Sequence, residues 1–161
     1  MEKVYKPLYL LIIMPIQLKQ MKGREFVTQV LYRERDFQRI ELEEGFDLSG
    51  YDGFNEMQTY LKKQDFKENP LDITDSKLIG IIARKIYLPY VKGIRANLDR
   101  ASLYGANLDG ANLDGASLRG VENLKKTLNL GGAYFFETRV TKKEREIIEE
   151  ALKKRQMFIV E

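Results

Sequence analysis

The sequence predicts a mainly β solenoid with α elements, and three observations between Arg95 and Gly120 support this prediction. Every fifth residue of the stretch is leucine. Glycine recurs at one fixed position of the pentad, at 105, 110, 115 and 120. Alanine stands two positions before each leucine, so the predicted core consists of Ala96, Leu98, Ala101, Leu103, Ala106, Leu108, Ala111, Leu113, Ala116 and Leu118.

A period of five fits neither an α-helix, which repeats every 3.6 residues, nor a flat strand, which repeats every two. Either structure would scatter the leucines over both core and solvent. The chain must instead turn a corner once per pentad, with Ala and Leu inside and the permissive dihedral angles of glycine at the corner. Coils of this kind stack into a solenoid, because one coil cannot bury its own apolar face.

The pattern A(N/S)LxG resembles that of the pentapeptide-repeat proteins. The resemblance implies a short right-handed quadrilateral β-helix with four pentads in each coil. Leu98 would then lie beneath Leu118, with about 4.8 Å between neighbouring coils. Asp99 would lie beside Arg119 as an exposed ion pair, which contributes at most about 1 kcal/mol.

Composition excludes several classes of function. The 161 residues contain neither Cys nor His, which rules out disulfides, Cys-rich zinc sites, thiol nucleophiles and His-dependent triads. A net charge of +3 is too balanced to indicate a nucleic-acid partner. We expect no enzyme activity, no cofactor and no bound metal. The lack of Cys agrees with a cytoplasmic protein.

Residues 1–70 are predicted to form an N-terminal α+β cap that is rich in strands. The most apolar run lies at 7–16 and is too short for a transmembrane segment, which needs about twenty residues. We interpret it as a buried strand, with a targeting segment as the alternative. Further strands are predicted at 25–32 and 36–42. A short helix is predicted at 54–64.

The loop GFDLSGYDGF follows the second of these strands. Its two aspartates and three glycines suggest a metal-binding loop, but the loop lacks the spacing and the bidentate Glu of a calcium site. It equally fits one degenerate pentad, with Phe46 and Leu48 as the inward pair.

Residues 71–94 allow two interpretations within the predicted repeat domain, 71–120. One is a helix at 75–88, capped by Asp75 or Ser76 and ended by Pro89. The other continues the downstream register backwards as degenerate pentads, so that extra coils precede the clean repeats at 95–120. The sequence leaves both open.

Residues 121–161 are predicted to form a C-terminal cap. The five-residue step ends after Gly120, and bulky rings at 133–136 are expected to close the open end of the core. A capping helix is predicted at 141–156, where Thr141 and Glu144 form a capping box. Its buried stripe comprises Ile147, Ile148, Ala151 and Leu152. A short strand is predicted at 157–160.

These features favour a non-enzymatic interaction or scaffold protein, whose rigid faces bind a protein partner or a second copy of the chain. No residue identifies that partner. The candidate interaction face comprises outward residues of the clean repeats, namely Asp99, Arg100, Tyr104, Asp109, Asp114 and Arg119.

Two alternatives come from other classes of protein. Some pentapeptide-repeat proteins mimic duplex DNA and protect type II topoisomerases. Residues 71–120, however, hold five acidic and seven basic side chains, whereas a DNA mimic needs a strongly negative rod. The other alternative is an enzyme or small-molecule binder in the N-terminal region, although no nucleophile with a matching base and no phosphate loop is evident there.

Overall fold

The computed structural model describes residues 16–157. The strands predicted at 7–16 and 157–160 fall outside this range, apart from one residue each. The described chain contains two short strands, β1 (Lys19–Met21) and β2 (Ile40–Leu42), which pair in parallel. It also contains three α-helices: α1 (Gly23–Leu31), α2 (Phe54–Leu61) and α3 (Lys142–Met157).

Parallel bridges join residues that lie twenty positions apart, so the chain winds through a four-sided coil. We number the sides in chain order and name each by its central residues. Side 1 is centred on 72, 92 and 112, and side 2 on 77, 97 and 117. Side 3 is centred on 82, 102 and 122, and side 4 on 87, 107 and 128. Each corner takes the number of the side that it follows in the chain. The part of the described chain that these bridges join is therefore a β-helix.

The repeated Ala and Leu side chains fill the interior of this β-helix. All ten have exposures of 7% or less. Backbone hydrogen bonds join each coil to the next; for example, the N–H of Leu98 donates to Ser117 O at 2.8 Å. Because the inward residues of successive coils stack, the apolar surface of each coil is covered by its neighbours.

Residues 71–94 form coils, and the alternative of a helix at 75–88 is wrong. Asp75, Gly80, Lys85 and Tyr90 all have φ values between 57° and 67°, which marks a corner at every fifth residue. The N–H groups that a helix would use internally donate to the coil above, as Leu78 N does to Asn97 O at 2.8 Å. Pairing along the stack thus outweighs the local helical pattern.

The stack extends below residue 71, into the region expected to be a separate α+β cap. Asp36 bridges to Asp72 and Glu41 to Lys77, both 36 positions apart, so the lower coil is longer than the repeat. The extra length accommodates α2, which agrees with the helix predicted at 54–64 and buries Phe54, Met57 and Leu61. Asp47 bridges to Ile82 between the half-buried Phe46 and the buried Leu48, which fits the degenerate pentad.

The strand predicted at 25–32 is wrong, because this segment forms α1. Its β-branched residues favour a strand locally, but Phe26, Val27 and Val30 lie on one helical face and are buried against the lowest coil. The ring centroid of Phe26 lies 4.6 Å from that of Phe37. Burial in the tertiary structure therefore decides the conformation. Of the strand predicted at 36–42, only β2 forms.

The C-terminal end departs from the pentad step as the sequence indicates. Two 3-10 turns, Leu124–Lys126 and Leu130–Gly132, lengthen the last coil, so Asn107 pairs with Leu128 and Asn112 with Tyr134. Helix α3 packs on these turns and buries Ile148. The predicted capping box forms in part: the Glu144 carboxylate accepts a hydrogen bond from the backbone N–H of Thr141, and the Thr141 hydroxyl donates to the same carboxylate.

Candidate interaction surface

The candidate residues from the sequence do not lie on one face. Successive pentads within a coil turn successive corners, so Asp114 lies at corner 1, Tyr104 at corner 3 and Asp109 at corner 4. Asp99, Arg100 and Arg119 meet at corner 2, since Asp99 and Arg119 are one coil apart.

Corner 2 is held by ion pairs within the chain. The expected Asp99–Arg119 pair forms, with 2.7 Å between Arg119 Nη2 and Asp99 Oδ2. The other carboxylate oxygen accepts hydrogen bonds from the Ser117 hydroxyl at 2.6 Å and from the Arg119 N–H at 3.0 Å. Desolvation by burial acts to raise the pKa of Asp99, but these hydrogen bonds outweigh it and the pKa lies below its usual range. Arg100 donates to Glu44 at 2.6 Å.

Corner 1 carries a second arginine–aspartate pair, which was not predicted from the sequence. The Arg95 guanidinium binds both carboxylate oxygens of Asp75, at 2.6 and 2.8 Å. The Asp75 side chain is only 6% exposed, and Arg39 approaches it to 4.0 Å. The hydrogen bonds from Arg95 are the main reason that the pKa of Asp75 is lowered. The twenty-residue offset used for Asp99 and Arg119 would have predicted this pair too.

The lowered pKa of Asp75 predicts an acid-sensitive contribution to stability. Its folded-state pKa lies below the unfolded value of about 3.9, so the contribution is present above that value and is lost as the pH falls through the folded pKa. We expect Asp75→Asn to lower the melting temperature at pH 7 and to flatten its decline in acid. Thermal melts across the acid range measure both effects.

The control for this experiment is Asp52→Asn. Asp52 is exposed, and no partner of its carboxylate is found among the described residues. We expect its melts to follow the wild type at every pH. Parallel melting curves for wild type and Asp75→Asn, offset by a constant amount down to the lowest pH, would contradict the prediction.

The polar residues at the centres of the sides have structural roles. The side-chain carbonyls of Asn97, Asn107 and Asn112 accept the backbone N–H two residues ahead, at 2.9 to 3.0 Å. Each such bond closes an Asx turn, which holds the backbone in a turn conformation immediately before the corner. The recurrence of Asn before Leu is thus explained by turn formation.

Exposed apolar side chains offer a further candidate surface. Tyr134 and Phe136 are 56% and 70% exposed, whereas Phe135 between them packs against the core. The prediction that the rings at 133–136 close the core is therefore correct for Phe135 and wrong for the other two. Alternation along an extended segment, which turns every second side chain outward, was the signal that could have found them.

The aromatic patch, as we call Tyr134 and Phe136, is firmly positioned. Tyr134 N donates to Ala111 O at 2.8 Å, and Phe136 O accepts from Gly115 N at 2.7 Å. The Phe136 N–H also donates to a carboxylate oxygen of Asp114 at 2.8 Å. Asp114, one of the predicted candidates, therefore borders the patch.

The N-terminal helices leave an open groove of about 800 Å³ between α1 and α2. Hydroxyl, amide, carboxylate and lysine side chains line it together with Leu31 and two tyrosines, Tyr32 and Tyr60. Within residues 16–157, no group of three or more metal-binding side chains comes together. None of the helices in that range combines the length and apolar character needed to cross a bilayer.

Comparisons with known proteins address the repeat directly. A family model described as pentapeptide repeats matches residues 94–126 with eight copies, which agrees with the resemblance seen in the sequence. No curated protein matches the chain. A solved structure of a trypsin-treated form of QnrB1, described as a plasmid-mediated fluoroquinolone resistance protein, aligns at 15% identity. The alignment covers 52% of this chain and 46% of that one, with a TM-score of 0.18. So low a score carries no argument about function.

Proposed function

Because the chain carries a pentapeptide-repeat segment, we propose that it is a non-enzymatic interaction protein whose β-helix presents the aromatic patch to a protein partner. The observation that carries the proposal is the exposure of Tyr134 and Phe136 on a backbone fixed by inter-coil hydrogen bonds. Aromatic side chains on a rigid support bind with little loss of conformational entropy. Asn112 and Asp114 supply a polar rim beside them.

A DNA mimic is less well supported. Two of the five acidic residues between 71 and 120, Asp75 and Asp99, are paired with arginines. Their charges are therefore neutralised within the β-helix. With two of its five carboxylates neutralised and seven basic residues present, this segment does not offer the continuous negative surface that imitates a phosphate backbone.

Photo-crosslinking tests the proposal. A benzophenone amino acid replaces Phe136 in the full chain, which is then irradiated in native lysate. We expect one dominant adduct, because a specific partner covers the patch. Tyr134→Ser in the same background should reduce its yield by about fivefold or more, as for a central aromatic contact. An adduct of twice the chain mass would identify the partner as a second copy.

The matched control places the same crosslinker at Tyr32, which is 78% exposed at the end of α1. We expect no dominant adduct there, because Tyr32 lies outside the aromatic patch. Identical adducts from both positions would contradict the proposed patch.

A further inference from the structure

Corner 3 differs from corners 1 and 2 in its charge. At corners 1 and 2, Arg95, Arg119 and Arg100 all pair with carboxylates of the chain. At corner 3 and beside it, four exposed cations have no ion pair within the described residues. They are Lys62, Arg84, Lys85 and Lys126.

Two of these cations line a single groove on side 4. The groove has a volume of about 360 Å³, and Lys62 from the end of α2 faces it together with Lys85. Tyr87 and Leu128 provide its apolar lining, and Leu128 is 55% exposed. Two lysine side chains beside apolar surface suit a ligand that is both anionic and apolar.

The hydrogen-bonding groups of the groove are also suited to an anion. The side-chain carbonyl of Asn107 is occupied by the N–H of Asp109 at 2.9 Å, which leaves the amide N–H groups to donate. No carboxylate lies among the groove residues. The charged and amide side chains that line the groove therefore offer donors that match a carboxylate.

The distance over which these cations extend along the stack favours a peptide over a nucleic acid. Lys85 contacts the corner at Gly105, and Lys126 O accepts the N–H of Gly105 at 3.0 Å, so the cations extend over two coil steps. Two steps span about 10 Å, whereas nucleic-acid binding needs a longer track of phosphate contacts. The apolar lining likewise fits the side chains of a peptide.

We propose that this groove, the corner 3 groove, binds an acidic segment of a protein partner. A carboxylate lies between Lys62 and Lys85, and a neighbouring apolar side chain packs on Leu128 and Tyr87. The proposal rests on the proposed function of the chain as an interaction protein and assigns a second contact surface, distinct from the aromatic patch.

Fluorescence anisotropy of the full chain tests the proposal with defined probes. The first probe is a fluorescein-labelled octapeptide of alternating Glu and Leu, and the second has Gln in place of Glu. The third is a labelled oligothymidine. We expect the wild type to bind the first probe, to bind the second weakly, and to lose affinity for the first as salt is added.

Variants locate the binding site. Lys62→Ala combined with Lys85→Ala should weaken binding of the acidic peptide by about tenfold, because both ammonium partners of the carboxylate are lost. Lys19→Ala combined with Lys92→Ala removes the same charge from two exposed lysines elsewhere and should change it by less than about twofold. Leu128→Ser should weaken binding by about threefold or more.

Three outcomes would overturn the proposal: no binding of the acidic peptide by the wild type, equal losses in the two lysine variants, or tighter binding of oligothymidine than of the peptide. Circular dichroism establishes that each variant is folded. The benzophenone substitution at Phe136 is also made in the variant with Lys62→Ala and Lys85→Ala. It tests the proposed function independently of the groove. Its adduct is expected to persist even if the groove binds nothing.

Discussion

Leu108→Asp is expected to lower the free energy of unfolding by about 4 to 6 kcal/mol, a large effect for a single substitution. Leu108 is 5% exposed and stacks within the leucine column of the interior. The substitution removes the burial of a leucine side chain, about 2 to 3 kcal/mol, and leaves a carboxyl group without a partner in an apolar column. Urea denaturation followed by circular dichroism measures the change.

Leu128→Asp is the matched control, because it makes the same chemical change at an exposed leucine one coil higher. Leu128 is 55% exposed and lines the groove beside Lys62 and Lys85. The new carboxylate is solvated and faces cations, so we expect a change within about 1 kcal/mol. Comparable losses from both substitutions would show that the inward and outward assignments are incorrect.

Gly110→Ala is expected to have the second largest effect, about 2 to 4 kcal/mol of destabilisation. Gly110 has φ +65°, where any Cβ costs about 1 to 2 kcal/mol. A Cβ placed there would also lie 2.5 Å from the ring of Tyr90, which covers this glycine from the coil below. Chemical denaturation measures the loss.

Gly120→Ala separates these two contributions. Gly120 has φ +69°, but the nearest side-chain atom to its Cβ, from Arg100, lies at 3.6 Å. We therefore expect only the conformational loss of about 1 to 2 kcal/mol. In a Tyr90→Gly background the penalty of Gly110→Ala should fall to this same level. An unchanged penalty in that background would show that Tyr90 does not cause the additional loss.

The parts of the fold that repeat one local pattern could be predicted from the sequence. Between Ala96 and Gly120 each pentad has the same inward and corner positions, so a single register places every side chain. The ion pair of Asp99 with Arg119 followed from the same offset. The last helix was equally predictable, because the capping box of Thr141 and Glu144 lies within one helical turn.

The parts that could not be predicted depend on distant segments. α1 contains residues with high β-propensity, and only its burial under the lowest coil makes it a helix. The insertion of α2 changes the offset between coils to 36 residues, so the pair of Glu41 with Lys77 follows no repeat. The corner 3 groove combines Lys62 with Lys85 and Leu128, and Lys62 reaches the other two only through that insertion.

The corner residues differ between two successive coils, so the two directions along the axis of the stack are not equivalent. Lys85, Tyr90, Arg95 and Arg100 have positive φ values despite their side chains, and each lies beneath a glycine of the next coil. A duplicated copy of residues 101–120 would place glycine on glycine and leave bare backbone, whereas a copy of 81–100 would crowd two large side chains at each corner. The corner residues therefore set the order of these two coils along the axis, with the bulky coil below and the glycine-rich coil above.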